Sequence, residues 1–101
     1  MRSTLNNWSG IKVKDCYQEI IKLHKMLENF GVKHIFEQAY DGYRVSNKNG
    51  SAVENSYSYG HSDDLLELRG FDIDSKKWKS YISANEAADY FIFAENKNAR
   101  E

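Results

Sequence analysis

A chain of 101 residues with 41% apolar side chains and a formal charge of −1 is sized for one domain around one modest core. No apolar run approaches the roughly 18 residues of a membrane helix, and the near-neutral charge argues against a general nucleic-acid binder. A single cysteine, Cys16, excludes an internal disulfide and fits a reducing, cytoplasmic setting. The charge is unevenly spread. Residues 1–50 hold eight Lys/Arg and five Asp/Glu, whereas residues 51–101 hold six and ten. Asp63, Asp64, Glu67, Asp72 and Asp74 gather within twelve positions, opposed only by Arg69.

Residues 1–10 are mostly polar with one aromatic, Trp8, lack the apolar segment of a signal peptide, and read as a loose arm. From Val13 the apolar positions run Val13, Cys16, Tyr17, Ile20, Leu23, His24, Leu27 and Phe30. Steps of three and four make an amphipathic helix, and Gly31 supplies its left-handed cap. Cys16 falls within that stripe and reads as a buried structural thiol.

Val32, His34, Phe36 and Tyr40 then alternate as in a strand, and Asp41-Gly42 has the composition of a two-residue hairpin loop. That loop sets Tyr40 opposite Tyr43 as a cross-strand pair. A second turn, Asn47-Lys48-Asn49-Gly50, leads to a strand over 52–59 with Val53, Tyr57 and Tyr59 on one face and Glu54, Ser56 and Ser58 on the other. A fourth strand spans 65–73; its apolar parity shifts from Leu66 and Leu68 to Phe71 and Ile73 across Gly70, as at a β-bulge or bend. Ser83-Ala84-Asn85-Glu86 is a capping box, opening a helix with Ala84, Ala87, Ala88, Phe91, Ile92 and Ala94 on its inner face. The expected fold is α+β, α-β-β-β-β-α: a single domain over 11–94, two helices on a four-stranded antiparallel meander, then a polar tail over 95–101.

The residues that carry chemistry are sparse. His24, His34 and His61 lack metal-ligand spacing, and Asp72-Ile73-Asp74 opens like a calcium loop but has Lys77 at its sixth position and Ser83 at its twelfth. His61 beside Asp63, Asp64 and Glu67 suggests acid–base chemistry, yet no nucleophile or phosphate cradle accompanies it. No enzyme, metal or cofactor is therefore expected. Seven tyrosines and five phenylalanines exceed what two helices can readily cover, and tyrosine beside charge is a binding-surface composition.

Asp41-Gly42-Tyr43, Ser58-Tyr59-Gly60, Leu65-Leu66-Glu67-Leu68 and Ser83-Ala84-Asn85-Glu86-Ala87-Ala88-Asp89-Tyr90 follow, in this order, an amphipathic helix ending at Gly31. In that arrangement, over residues 17–92, the chain resembles short phage and prophage proteins of Gram-positive bacteria. The resemblance implies a small accessory protein of a mobile element. Such proteins are often made to bind and disable a host defence nuclease, as anti-CRISPR proteins do.

The function expected is thus a protein-binding module acting on a host protein in the cytoplasm. Its surface would comprise Tyr40, Tyr43, Tyr57, Tyr59, His61, Asp63, Asp64 and Glu67, with the tyrosines anchoring and the carboxylates steering toward a basic partner. Two alternatives stand beside it. One is a nucleic-acid-binding accessory protein using Arg44, Lys48 and the tyrosines; the other is a self-associating structural or virion-assembly protein.

Overall fold

The computed structural model describes residues 17–71 and 79–100. In chain order the elements are α1 (Gln18–Phe30), β1 (Ile35–Ala39), β2 (Gly42–Ser46), β3 (Gly50–Glu54), β4 (Leu66–Gly70), β5 (Lys79–Ile82) and α2 (Ala84–Arg100). A short 3-10 turn, His61–Asp63, lies between β3 and β4. The strands form one antiparallel sheet in the order β1-β2-β3-β4-β5, and both helices pack on the same face. The α+β meander expected from the pattern is present, with five strands rather than four. Only four residues long, β5 abuts the capping box of α2, too short a run to show its own alternation.

Alternating burial builds the core. Ile20, Leu23 and Leu27 of α1 and Ala84, Ala87, Ala88 and Phe91 of α2 meet Val45, Ala52, Leu66, Leu68 and Ile82 from the sheet. Gly31 adopts φ +74 and its N–H returns to Leu27 and Glu28, closing α1 as its position predicts. Phe30, the last member of the expected stripe, is instead exposed. The Ser83 hydroxyl accepts the Glu86 amide at 3.2 Å, which starts α2. The two helix starts also meet each other, since Glu19 Oε1 accepts the Ala84 amide at 2.7 Å.

Three expectations about the strands are corrected. The first hairpin loop is Tyr40-Asp41, because Ala39 pairs with Gly42 and Gln38 with Tyr43; Tyr40 and Tyr43 therefore do not face each other. Gly42 is needed inside β2, where any Cβ would overlap the Glu54 carbonyl. The third strand stops at Glu54, and its facing is the reverse of that expected. Val45, Ala52 and Leu68 align across three strands, so Ala52 and Glu54 point inward and Val53 outward. Near Gly70 the chain bends through two positive-φ residues, Gly70 (+91°) and Phe71 (+60°), and Phe71 turns back onto Phe91. The register shift lies farther back, between Leu66 and Leu68 against β5. Trp8 with the arm, Val13, Cys16, Asp72, Ile73 and Asp74 lie outside the described residues.

Candidate protein-binding surface

The segment joining β3 to β4 is held by side chains that are themselves buried. Asn55, Ser58, Asp41, Gln38 and Glu67 are all at most 9% exposed. Asn55 donates to the Ala39 carbonyl (2.9 Å) and accepts the Tyr57 amide (2.9 Å). Ser58 Oγ accepts the Asn55 amide and donates to its carbonyl, while Asp41 Oδ1 accepts the Ser56 amide at 2.9 Å. Gln38 donates to the Tyr40 carbonyl, Glu67 Oε1 accepts the Tyr59 amide, and His61 Nδ1 lies 2.8 Å from the Ser58 carbonyl. Backbone groups that would otherwise face water are thereby bonded to the protein, and residues 40–41 and 55–61 become one cross-braced unit.

Tyrosines project from this unit. Tyr57 is 76% exposed and its ring lies 4.8 Å from that of Tyr40, which is 46% exposed. Tyr59 and Tyr81 are exposed as well. Gly60 lies against the Tyr81 backbone, which brings β5 beside the same loop. Tyr40 and Tyr81 stand at φ +58 and +60, a region that a bulky side chain enters only at a cost of about 1 kcal/mol or more.

Next to the tyrosines lies the sheet face turned away from the helices. Arg44, Ser51, Val53, Tyr57, Glu67 and Arg69 are among the residues lining a shallow groove of about 380 Å3 there. Arg44 grips Glu37 Oε2 through Nε (3.1 Å) and Nη2 (2.8 Å), and Arg69 reaches Glu67 Oε2 at 3.4 Å.

The eight residues expected to form the site separate into an exposed set and a structural set. Tyr40, Tyr57, Tyr59 and Asp63 are exposed, and His61 is half-buried. Tyr43 is turned into the core, stacked on Phe36 at 4.7 Å. Asp64 caps α1 from a distance: its Oδ1 accepts the Gln18 and Glu19 amides at 3.0 and 3.2 Å. Glu67 is buried beneath Arg69. Of the described members of the acidic run, Asp64 and Glu67 are thus architecture and only Asp63 is fully presented to solvent. Lys48 lines a different hollow, with Lys33, His34 and Ile35, away from Arg44. A scan of protein-family models, a search of the curated proteins and a search of the solved structures each find no match to this chain. Sequence reasoning missed Tyr81 and Arg69 as neighbours of the tyrosine loop, and no local signal marks them: Arg69 comes beside it through the β3–β4 pairing and Tyr81 through the β4–β5 pairing.

Two further polar clusters serve the fold. Glu54 is fully buried: Oε1 accepts the Ile20 amide at 3.3 Å, and Oε2 has no donor within reach among the described residues. Burial, reinforced by the neighbouring Asp64, pushes this carboxyl up to about 9, so at neutral pH it is protonated and hydrogen-bonded to Asp64. On the far side of α1, His34 Nδ1 donates to the Val32 carbonyl at 2.7 Å, and its Nε2 meets His24 Nδ1 at 2.9 Å. The ring centroids are 5.1 Å apart, as two rings meeting nitrogen to nitrogen require, which is hydrogen-bond geometry and not that of two ligands converging on an ion. Among the described residues no group of three His, Cys, Asp or Glu is arranged to hold a metal.

Proposed function

We propose that the chain is a small protein-binding module, anti-CRISPR-like in acting on a host defence nuclease complex, and that it engages its partner through Tyr40, Tyr57, Tyr59 and Tyr81. The observation that carries this reading is the pair of exposed tyrosines at positive φ. Folding alone favours glycine at such positions, and a large ring held there against local preference is a mark of use. The braced loop beneath supports it: a preordered tyrosine loses little further freedom on binding, which is why rigid aromatics dominate recognition surfaces. The surrounding serines, Asn55 and arginines complete a composition common at binding sites. Choice of a phage and host-defence setting rests on the order of sequence motifs alone.

The test is affinity capture from a nuclease-treated Gram-positive host lysate, comparing wild type with a Tyr40→Ala/Tyr57→Ala variant. One stoichiometric protein should be retained by the wild type and lose about 2 kcal/mol of affinity, roughly thirtyfold, in the variant. A partner held equally by both would place the contact elsewhere on the molecule.

A further inference from the structure

We propose that the free edge of β1 pairs with β1 of a second copy of this chain, antiparallel about a two-fold axis at Ile35, so that the two sheets become one. The inference goes beyond the tyrosine surface and does not rest on it.

The two edges of the sheet are not alike. β5 is four residues long, slips register against β4 and carries Tyr81 at φ +60, a shape that fits no further strand. β1 pairs with β2 in unbroken register over all five of its residues, and the chain contains no proline to blunt it. The Asn47 amide bonds the Gly50 carbonyl toward β3. The alternate residues Gly42, Arg44 and Ser46 therefore bond toward β1, where Ala39, Glu37 and Ile35 face them. The Asn47 side chain holds the Lys33 carbonyl on that same side, at 3.0 Å. The amides and carbonyls of Phe36 and His34 thus point out of the sheet, and neither main chain has a hydrogen-bond partner among the described residues.

Side chains choose the occupant. Lys33, Ile35 and Glu37 follow one another at period two on the outer face, so the edge reads basic, apolar, acidic in one direction and the reverse in the other. A two-fold axis at Ile35 sets Ile35 on its own copy and Lys33 on Glu37 of the second copy, in the closely spaced pairs where side chains meet. His34 and Phe36 then exchange main-chain hydrogen bonds with Phe36 and His34 of that copy. Ile35, 60% exposed in the single chain, becomes covered. Lys33 is exposed and has no ion pair among the described residues; Glu37 gives Oε2 to Arg44 and keeps Oε1 for a second cation. Moving the axis to Phe36 sets Ile35 against Glu37, and moving it to Glu37 sets two carboxylates together, so the side chains fix the register. α1 packs over β2 and β3, and the two β2 strands stand roughly 14 Å apart across the axis, more than the about 8–10 Å that neighbouring helices need. The Tyr40 loops stay open at opposite ends of the paired strands, roughly 35 Å apart, so the dimer presents the tyrosine surface twice.

The experiment is sedimentation velocity of the full chain from low micromolar to near-millimolar concentration, with amide hydrogen exchange at both ends of that range. The mass should climb from 11.8 kDa toward twice that value, and the Phe36 and His34 amides should gain protection with it. The Ile35 and Glu37 amides, bonded to β2, should be protected throughout. Ile35→Lys, at an exposed side chain, should weaken dimerisation roughly tenfold or more, and Lys33→Glu should weaken it too. A monomer at every concentration overturns the proposal. So does a dimer whose Phe36 and His34 amides stay unprotected, or one indifferent to Ile35→Lys, since its contact lies elsewhere. Protection of those amides in a monomer overturns it in favour of another segment of this chain lying along β1. The wild-type readings decide the matter whatever the variants' stability. Lysate capture through Tyr40 and Tyr57 is a separate measurement, and its failure leaves the edge pairing untouched.

Discussion

Glu54 holds one proton in the folded protein that it releases in the unfolded chain across much of the working pH range. Its carboxyl titrates near 9 when buried, against an ordinary value of 4.5. Below 4.5 both states hold the proton and burial of the neutral group is fully tolerated. Between 4.5 and about 9 the folded state alone keeps it, so stability declines with rising pH by up to roughly 1.4 kcal/mol per pH unit and levels off above that window. Glu54→Gln retains an acceptor for the Ile20 amide and a donor for Asp64 without a titration. The variant should be more stable than wild type at pH 8 by about 2–3 kcal/mol and should lose most of the pH slope. Urea melts of both proteins at pH 5 and pH 8 check this; parallel slopes would refute it. At the opposite side of α1 the hydrogen-bond order of His34 leaves His24 Nε2 facing Glu28 at 3.6 Å. Burial holds the His24 pKa down, and Glu28 partly restores it.

At the scale of elements, the start of α1 is organised by residues distant in sequence. Its first three amides are taken by Asp64 and Glu54, which stand at opposite ends of the β3–β4 connection. Asp64 is itself at φ +55, a conformation short polar residues accept and one that aims the carboxylate at the helix. The sequence places Asp64 in an acidic surface run; the structure makes it a cap. Asp64→Ala should cost about 1–2 kcal/mol in thermal unfolding, whereas Asp64→Asn, which keeps an acceptor, should cost less than half of that. Asp63→Ala, one residue away and exposed, should be nearly silent. Equal effects at 63 and 64 would show that the cap is not what holds this turn.

Viewed whole, the molecule separates the packed face of its sheet from the exposed one. The helices bury one side of the sheet, and the tyrosine loop and arginines occupy the other side and its end. This division predicts a conflict between stability and binding at Tyr40. Tyr40→Gly relieves the positive φ and should leave the melting free energy within about 1 kcal/mol of wild type, while Tyr40→Ala removes the ring without relieving the backbone and should be the less stable of the two. Both variants should weaken partner binding alike. Unchanged binding in either would mean that the ring is at position 40 for some reason other than recognition.

The sequence by itself determined the elements whose signals are local. The apolar spacing of Ile20, Leu23 and Leu27, the cap at Gly31 and the Ser83 hydroxyl at the start of α2 depend on residues within a turn or two of each other, and each is present. Of the four tyrosines expected at the surface, Tyr40, Tyr57 and Tyr59 are exposed, whereas Tyr43 is in the core. Facing and pairing were decided only by tertiary structure. A one-residue change of loop, from Asp41-Gly42 to Tyr40-Asp41, separates Tyr40 from Tyr43, because side chains alternate with period two and a single step exchanges the faces. The same alternation buried Glu54 and turned Val53, half-buried, to the outer face, against their ordinary preferences, since Ala52 had to stand between Val45 and Leu68. The identity of the charges beside the tyrosines was settled likewise. Asp64 and Glu67 found donors remote in sequence, and the pairing of β2, β3 and β4 brought Arg44 and Arg69 to one groove, a long-range consequence of register that no local pattern contains.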